Sequence, residues 1–184
     1  MLVKHRFELR FQRAHVQDPL TCEMTRRFKD VMFNIDSLNV GIHSATMRLS
    51  LVGKASEVKE ARNYLKSLNV SLKTLSSSKY RGAFPDVPMR AFGPRDEGPI
   101  LERKLWLTFL GPQKRRPFIW EISRRFDVTF KITQSTTGSE VAIMSLVLWG
   151  SRPELDGVVA FLREQDINVE FGEASLASPF GPDL

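Results

Sequence analysis

The fold of this chain is decided by residues 105–171, which begin with the six residues LWLTFL. Apolar side chains occupy every second position of this opening, which is the period of a strand with one buried face. These alternating positions are Leu105, Leu107 and Phe109. The pattern predicts a strand here, and the residues that follow it predict five more elements.

Those five elements follow from two periodicities, alternation for strands and a spacing of three to four residues for helices. The order strand, helix, strand, strand, helix, strand is that of a ferredoxin-like domain, an antiparallel four-stranded sheet with both helices on one face. The predicted elements are a helix over 117–126, strands around 128–132 and 146–149, a helix opened by Pro153, and a strand over 167–171.

The first half of the chain repeats this pattern. Shifting by 98 positions places the residues FELRF, 7–11, on residues 105–109. After a gap of one residue, a shift of 97 positions places Gly53 on Gly150. Because apolar positions coincide in all six elements, we predict an α+β fold made of two tandem ferredoxin-like units.

Composition places the boundaries of these units. Residues 77–99 are rich in Pro and Gly and form a predicted linker between unit one, residues 1–76, and unit two, residues 100–173. We expect the linker to be irregular but partly docked, because it holds large apolar residues. A flexible tail is predicted at 174–184. The large apolar linker residues are Tyr80, Phe84, Met89 and Phe92.

Two helix starts are predicted in unit one from the residue types that favour helix N-termini. Asp18 is a good N-cap before Pro19, which suits the first helical position. Ser56 is the predicted N-cap of the second helix.

Charge and composition limit the classes of function. The formal net charge of +6 lies in residues 1–76, which carry 13 Lys+Arg against 7 Asp+Glu. Such a half is most often a solvated surface, and nucleic acid or an acidic partner are the alternatives. With one cysteine, Cys22, no intrachain disulfide is possible. No apolar run approaches the ~20 residues of a membrane helix, so we expect a cytoplasmic protein without membrane insertion.

Signatures of catalysis are missing from the sequence. It holds no phosphate-binding loop, no dinucleotide-binding glycine pattern and no nucleophile elbow. His5, His15 and His43 lie in separate segments, without the spacing of metal ligands. We therefore predict a protein that is not an enzyme, with no catalytic residues, no metal site and no cofactor.

The face of the sheet that helices leave uncovered carries one functional signal. Exposed apolar patches usually mark interfaces, so this face of unit two is predicted to pack on a sheet within the chain, on a second copy in a homodimer, or on another protein. RNA binding is the alternative, because RNA-recognition domains share the strand order. Packing is favoured, since SLVLWG at 145–150 lacks their aromatic-rich pattern. The apolar residues on this face are Trp106, Leu110, Val147 and Trp149.

A second signal is the turn GPQKRR, residues 111–116, before the first helix of unit two. A glycine turn with three cations at a helix N-terminus can hold a carboxylate or a phosphate, and a solvated loop is the alternative. The candidate ligand-binding residues are Gly111, Lys114, Arg115 and Arg116.

With these landmarks, both units resemble NIL domains, which are small ferredoxin-like modules related in shape to ACT domains. Unit two matches at its first strand and at the turn between helix and strand. Unit one matches at the proline before its first helix, at the end of that helix and at later positions. The residues that carry the resemblance include Gly111, Pro117, Arg125, Phe126, Val128 and Gly150, and Pro19, Arg27, Phe28, Gly53 and Val70.

The resemblance implies a regulatory, non-catalytic module. NIL domains of methionine importers pair through their sheets and bind methionine, so it implies an amino-acid ligand here. Two fused units would form within one chain the pair that single domains form between chains. The resulting hypothesis is a ligand-sensing tandem protein that acts by protein association, with RNA binding as the alternative.

Overall fold

The computed structural model describes most of the chain. Three predicted features lie outside the described residues: the helix start at Asp18 and Pro19, Phe92 of the linker, and the tail at 174–184. The described residues are 1–12, 20–40, 43–87, 89–90 and 98–172.

Unit one has the predicted order of elements. Its large apolar side chains alternate along the strands and recur every three to four residues along the second helix, as the sequence indicates. The elements are β1 (Leu2–Gln12), α1 (Leu20–Arg27), β2 (Met32–Val40), β3 (Ser44–Lys54), α2 (Ala55–Ser67) and β4 (Ser71–Lys79).

Unit two repeats this order, and a short 3-10 helix, Gly111–Arg115, follows its first strand. The three alternating residues of that strand are buried as predicted: Leu105 and Leu107 are 0% exposed and Phe109 is 5% exposed. The elements are β5 (Leu101–Leu110), α3 (Phe118–Arg125), β6 (Thr129–Thr137), β7 (Val141–Gly150), α4 (Arg152–Glu164) and β8 (Asn168–Phe171).

Two local predictions differ from the structure. Helix α2 begins at Ala55 with Lys54 as its N-cap residue, so the prediction that Ser56 caps this helix is wrong. Strand β4 runs to Lys79, three residues beyond the predicted end of unit one. The serines at 76–78 pair with β1, because backbone groups can form a ladder whatever the side chains are.

The eight strands of the described residues form one antiparallel sheet in the order β4-β1-β3-β2-β6-β7-β5-β8. Each unit contributes four neighbouring strands, and β2 pairs with β6 where Leu38 lies opposite Ser135. These two residues occupy equivalent positions of the repeat, so a local twofold axis passes between them. The units therefore join edge to edge, and the predicted stacking of one sheet on the other within the chain is wrong.

Details of the backbone also repeat. Asn69, after α2, and Asp166, after α4, both have left-handed backbone angles, with φ of 54° and 59°. Gly53 and Gly150 each leave room for a nearby carbonyl group. A Cβ atom on Gly53 would lie 2.8 Å from the Asp30 carbonyl oxygen, so glycine is required for this close approach.

The described part of the linker, 80–87 and 89–90, is irregular and docked on both units. The Tyr80 N–H donates to the Leu2 carbonyl oxygen at 3.0 Å, and the Arg90 N–H donates to the Arg124 carbonyl oxygen at 2.9 Å. Val87 is 7% exposed. These hydrogen bonds tie the connection between the units to β1 of unit one and to α3 of unit two.

Candidate functional site

The junction of β2 with β6, together with helices α1 and α3 above it, is called the seam below. Each first helix reaches across the seam to the other unit. In α3, the Trp120 indole Nε1 donates to the Val31 carbonyl oxygen at 3.0 Å. In α1, the Cys22 thiol accepts from the Phe130 N–H at 3.3 Å. Cys22 and Trp120 are equivalent in the repeat, so these two contacts are reciprocal.

Cys22 lies deep in the seam. It is 2% exposed, and burial raises the pKa of its thiol to about 12, with the Phe130 N–H acting in the opposite direction. Its thiol faces the backbone of the other unit, where it accepts from the Phe130 N–H.

Reactivity of Cys22 therefore reports opening of the seam. Since the thiolate is the nucleophile, iodoacetamide at pH 8 is expected to modify the folded protein at least about 100-fold more slowly than the protein in urea. Mass spectrometry over time measures both rates. Similar rates in the two states would contradict the burial of this residue in the seam.

A cavity of about 480 Å³ opens beside the seam, within the range of small-ligand sites. Unit one contributes residues of β1 and β2, and unit two contributes the 3-10 helix, the start of α3 and the ends of β6 and β7. We call it the seam cavity. Its apolar side chains include Ile35, Phe109, Phe118, Ile119, Ala142 and Met144.

The predicted anion-binding turn forms one wall of the seam cavity. Lys114, Arg115 and Arg116 line it, whereas Gly111 does not and instead starts the 3-10 helix at a φ of +51°. The Lys114 ammonium donates to the Gly138 carbonyl oxygen at 3.2 Å, tying the turn to the β6–β7 connection.

Arg116 has a structural role in the same wall. Its guanidinium donates to the Glu121 carboxylate at 3.1 Å and lies 4.6 Å from the centre of the Phe118 ring. The Glu121 side chain is 4% exposed, so Arg116 balances a buried charge. By contrast, Arg115 is exposed and makes no hydrogen bond or ion pair with any residue that the structure describes.

Unit one supplies polar residues that sequence analysis missed. The half-buried Lys4 lines the seam cavity and makes no hydrogen bond or ion pair within the described ranges. Arg6 Nε and Ser50 Oγ each donate to Asp36 Oδ2 at 3.0 Å. Comparison of the two units in sequence does not identify these residues, because they line the cavity only when the edge strands of the two units pair. The pairing could have been anticipated from the fold of each unit, because β2 is an edge strand of an isolated ferredoxin-like unit.

The residue types that line the seam cavity are not repeated at the equivalent positions of the sequence. In the sequence, Glu102 occupies the position equivalent to Lys4, and Gln17 the position equivalent to Arg115. Leu38, which is 2% exposed, stands at the position equivalent to Ser135. Lys4 and Arg115, which make no hydrogen bond or ion pair with the described residues, therefore have no cationic counterparts in the repeat.

The four predicted interface residues share the open face of unit two. Trp106, Val147 and Trp149 are half-buried, and Leu110 is 57% exposed. The Trp149 indole donates to the Glu102 carboxylate at 2.9 Å. The apolar patch also includes two residues that sequence analysis missed, Val141 and Ile143, which are 38% and 43% exposed. Contact of this face with a partner stays a prediction.

In the described part of the chain, no helix has both the length and the apolar character needed to cross a membrane.

Three solved structures illustrate the similarity to known proteins. An unknown protein from Galdieria sulphuraria is 10% identical, with 95% of this chain and 100% of that chain covered and a TM-score of 0.33. A protein from Bacteroides thetaiotaomicron is 13% identical, with 93% of each chain covered and a TM-score of 0.25. A chlorite dismutase from Candidatus Nitrospira defluvii is 14% identical, with 93% and 87% covered and a TM-score of 0.26.

Among curated proteins, none matches the chain significantly. The family model of the NIL domain matches it twice, over residues 5–74 and 103–171. The two matches coincide with the two ferredoxin-like units and lie on either side of the linker. The chain therefore belongs to the NIL-domain family and carries two copies of the domain in tandem.

Proposed function

We propose that this chain is a non-catalytic sensor of a small ligand of the amino-acid type, a molecule with a carboxylate and an apolar side chain. The observation that carries the proposal is the composition of the seam cavity. Lys4 from unit one and Arg115 from unit two line it without ion-pair partners in the described chain, next to the aromatic rings of Phe109 and Phe118.

The two cations suit a carboxylate in different ways. The planar guanidinium of Arg115 can donate two parallel hydrogen bonds to a carboxylate, whereas the Lys4 ammonium acts as a point charge. The apolar tail of the ligand would contact Phe118 and Met144. Because the cations come from different units, ligand binding would stabilise the pairing of the units. In this way the bound ligand would affect both units and not the cavity alone.

Calorimetric titration with the twenty amino acids and their 2-oxo acids tests this proposal. Arg115→Gln and Lys4→Gln are each expected to weaken binding by about tenfold or more, since each removes a charge-assisted hydrogen bond. Matched controls are Arg81→Gln and Lys66→Gln, because both cations are exposed and lie outside the seam cavity. If no compound gives a heat of binding, or if all four variants bind the ligand with equal affinity, the proposal is wrong.

The proposal includes association through the open face of unit two. Leu110, Val141 and Ile143 are exposed there beside two half-buried tryptophans, which makes a homodimer the expected assembly. Light scattering at rising concentration is expected to detect a dimer that Leu110→Glu dissolves. Leu110 is already exposed, so this change should leave the fold intact. A monomer at all concentrations would remove association from the proposal.

RNA binding is a second candidate, favoured by the continuity of the sheet. Edge-to-edge pairing places the basic residues Arg10, Arg48 and Lys73 of unit one on the same face as Trp106 and Trp149. Aromatic rings and cations on one continuous face suit single-stranded RNA, whose bases stack on the rings while its phosphates meet the cations. Gel shifts across a salt series discriminate, because phosphate contacts give a steep salt dependence. No shift at low salt would exclude this candidate.

A further inference from the structure

The charges that line the seam cavity are strongly unbalanced. Cations outnumber carboxylates by five to one. Asp36 is the carboxylate, and Arg6 and the Ser50 hydroxyl already donate to its Oδ2 atom. Arg6 is paired with Asp36 and Arg116 with Glu121, so the positive potential of the cavity comes from the remaining lining cations. The five cations are Lys4, Arg6, Lys114, Arg115 and Arg116.

The Gln113 side chain in the lining is already engaged with the protein. The Gln113 side-chain oxygen accepts from the Leu110 N–H at 3.1 Å, and its amide nitrogen donates to the carbonyl oxygens of Gln165 and Asp166, each at 3.0 Å. The Thr137 hydroxyl donates to the Asp36 carbonyl oxygen at 3.1 Å. Lys4 and Arg115 have donors available for a carboxylate, whereas an ammonium group would meet their positive charges.

We propose that the ligand of the seam cavity is an apolar-tailed carboxylate without an α-ammonium group, such as a 2-oxo acid or a plain short carboxylic acid. This inference rests on the proposed function and narrows its ligand class. A carboxylate gains from each nearby cation, whereas an ammonium a few ångströms away is repelled by the same cations. An amino acid carries both groups, so part of the gain from its carboxylate is lost.

Ligands that share one carbon skeleton isolate the effect of the ammonium group. In the leucine series these are L-leucine, 4-methyl-2-oxopentanoate, 4-methylpentanoate and 3-methylbutylamine, and the methionine and phenylalanine series guard against a poor fit of one side chain. At pH 7 and low salt, calorimetry of the full chain is expected to give at least about tenfold tighter binding for the acids than for the matching amino acid. The amines should not bind.

Variants of Arg115 and Arg81 test whether the preference for the acids arises in the seam cavity. Arg115→Gln is expected to weaken binding of the acids and to narrow their advantage over the amino acids, whereas the matched control Arg81→Gln should change neither quantity. Raising the salt concentration should narrow the advantage in the same way, because screening weakens the repulsion of the ammonium.

The outcomes separate this inference from the proposed function. Amino acids that bind as tightly as their 2-oxo acids, or more tightly, would overturn the inference and leave the sensor in place. If neither the amino acids nor the acids bind, both fail. A preference for the acids that persists unchanged in Arg115→Gln would overturn the assignment to the seam cavity.

Discussion

Replacement of Trp120 by alanine is expected to lower the free energy of unfolding by about 3–5 kcal/mol, the usual cost of removing a large aromatic side chain from a core. Trp120 is 0% exposed. Its indole donates across the seam to the Val31 carbonyl oxygen, and its ring meets that of Phe84 edge-on, with 5.7 Å between the centroids. One substitution therefore removes contacts to unit one, to the linker and within unit two.

Urea unfolding monitored by circular dichroism measures this loss. Trp120→Phe keeps most of the ring and removes the N–H, so it should cost clearly less, although the Val31 carbonyl loses its donor. Cys22→Ala is the matched control at the equivalent position, where a much smaller side chain is removed. A loss below about 1 kcal/mol for Trp120→Ala would show that the two units do not depend on this contact.

Replacement of Arg116 by alanine is expected to cost about 2–3 kcal/mol, since it leaves the buried Glu121 carboxylate without its cation. The side-chain exposures are 44% for Arg116 and 4% for Glu121, so water can replace part of the lost interaction. The cost should therefore fall below that of a fully buried pair. Thermal and urea unfolding of the variant measure it.

The double variant Arg116→Ala with Glu121→Gln separates charge from packing. If the uncompensated carboxylate causes the loss, the neutral amide should restore about half of it. Lys114→Ala serves as a control in the same turn, because its ammonium donates to backbone carbonyls and balances no buried charge. Equal losses in the single and double variants would mean that Arg116 stabilises the turn by packing on Phe118.

Local periodicity was sufficient to predict the fold of each unit. The alternation of Leu105, Leu107 and Phe109 reflects their burial within their own unit and does not depend on the other unit. The pattern is therefore visible in the local sequence. The edge pairing was not predicted. The unpaired edge of a sheet can pair with any strand. The side chains of Leu38 and Ser135 have no feature that would select each other as partners.

Only part of the candidate site was predicted, because its residues come from both units. The cations of the turn at 111–116 are neighbours in sequence, so their clustering was visible. Lys4 joins them from the other unit, from near the start of β1, so it is far from the turn in sequence. Arg116 was predicted as a ligand-binding cation, and its ion pair with Glu121 depends on the helix turn that brings them together.

The central claim is that β2 and β6 pair within one chain and thereby build the seam cavity. Leu38→Cys with Ser135→Cys tests it directly, because directly opposed residues of antiparallel strands lie at Cα distances that a disulfide can span. Cys22 should not compete, since burial raises the pKa of its thiol. On mild oxidation we expect a disulfide within the monomer, detected by non-reducing mass spectrometry of the digested chain. Free thiols at both positions, or disulfides formed between chains, would contradict the edge-to-edge joining of the two NIL domains.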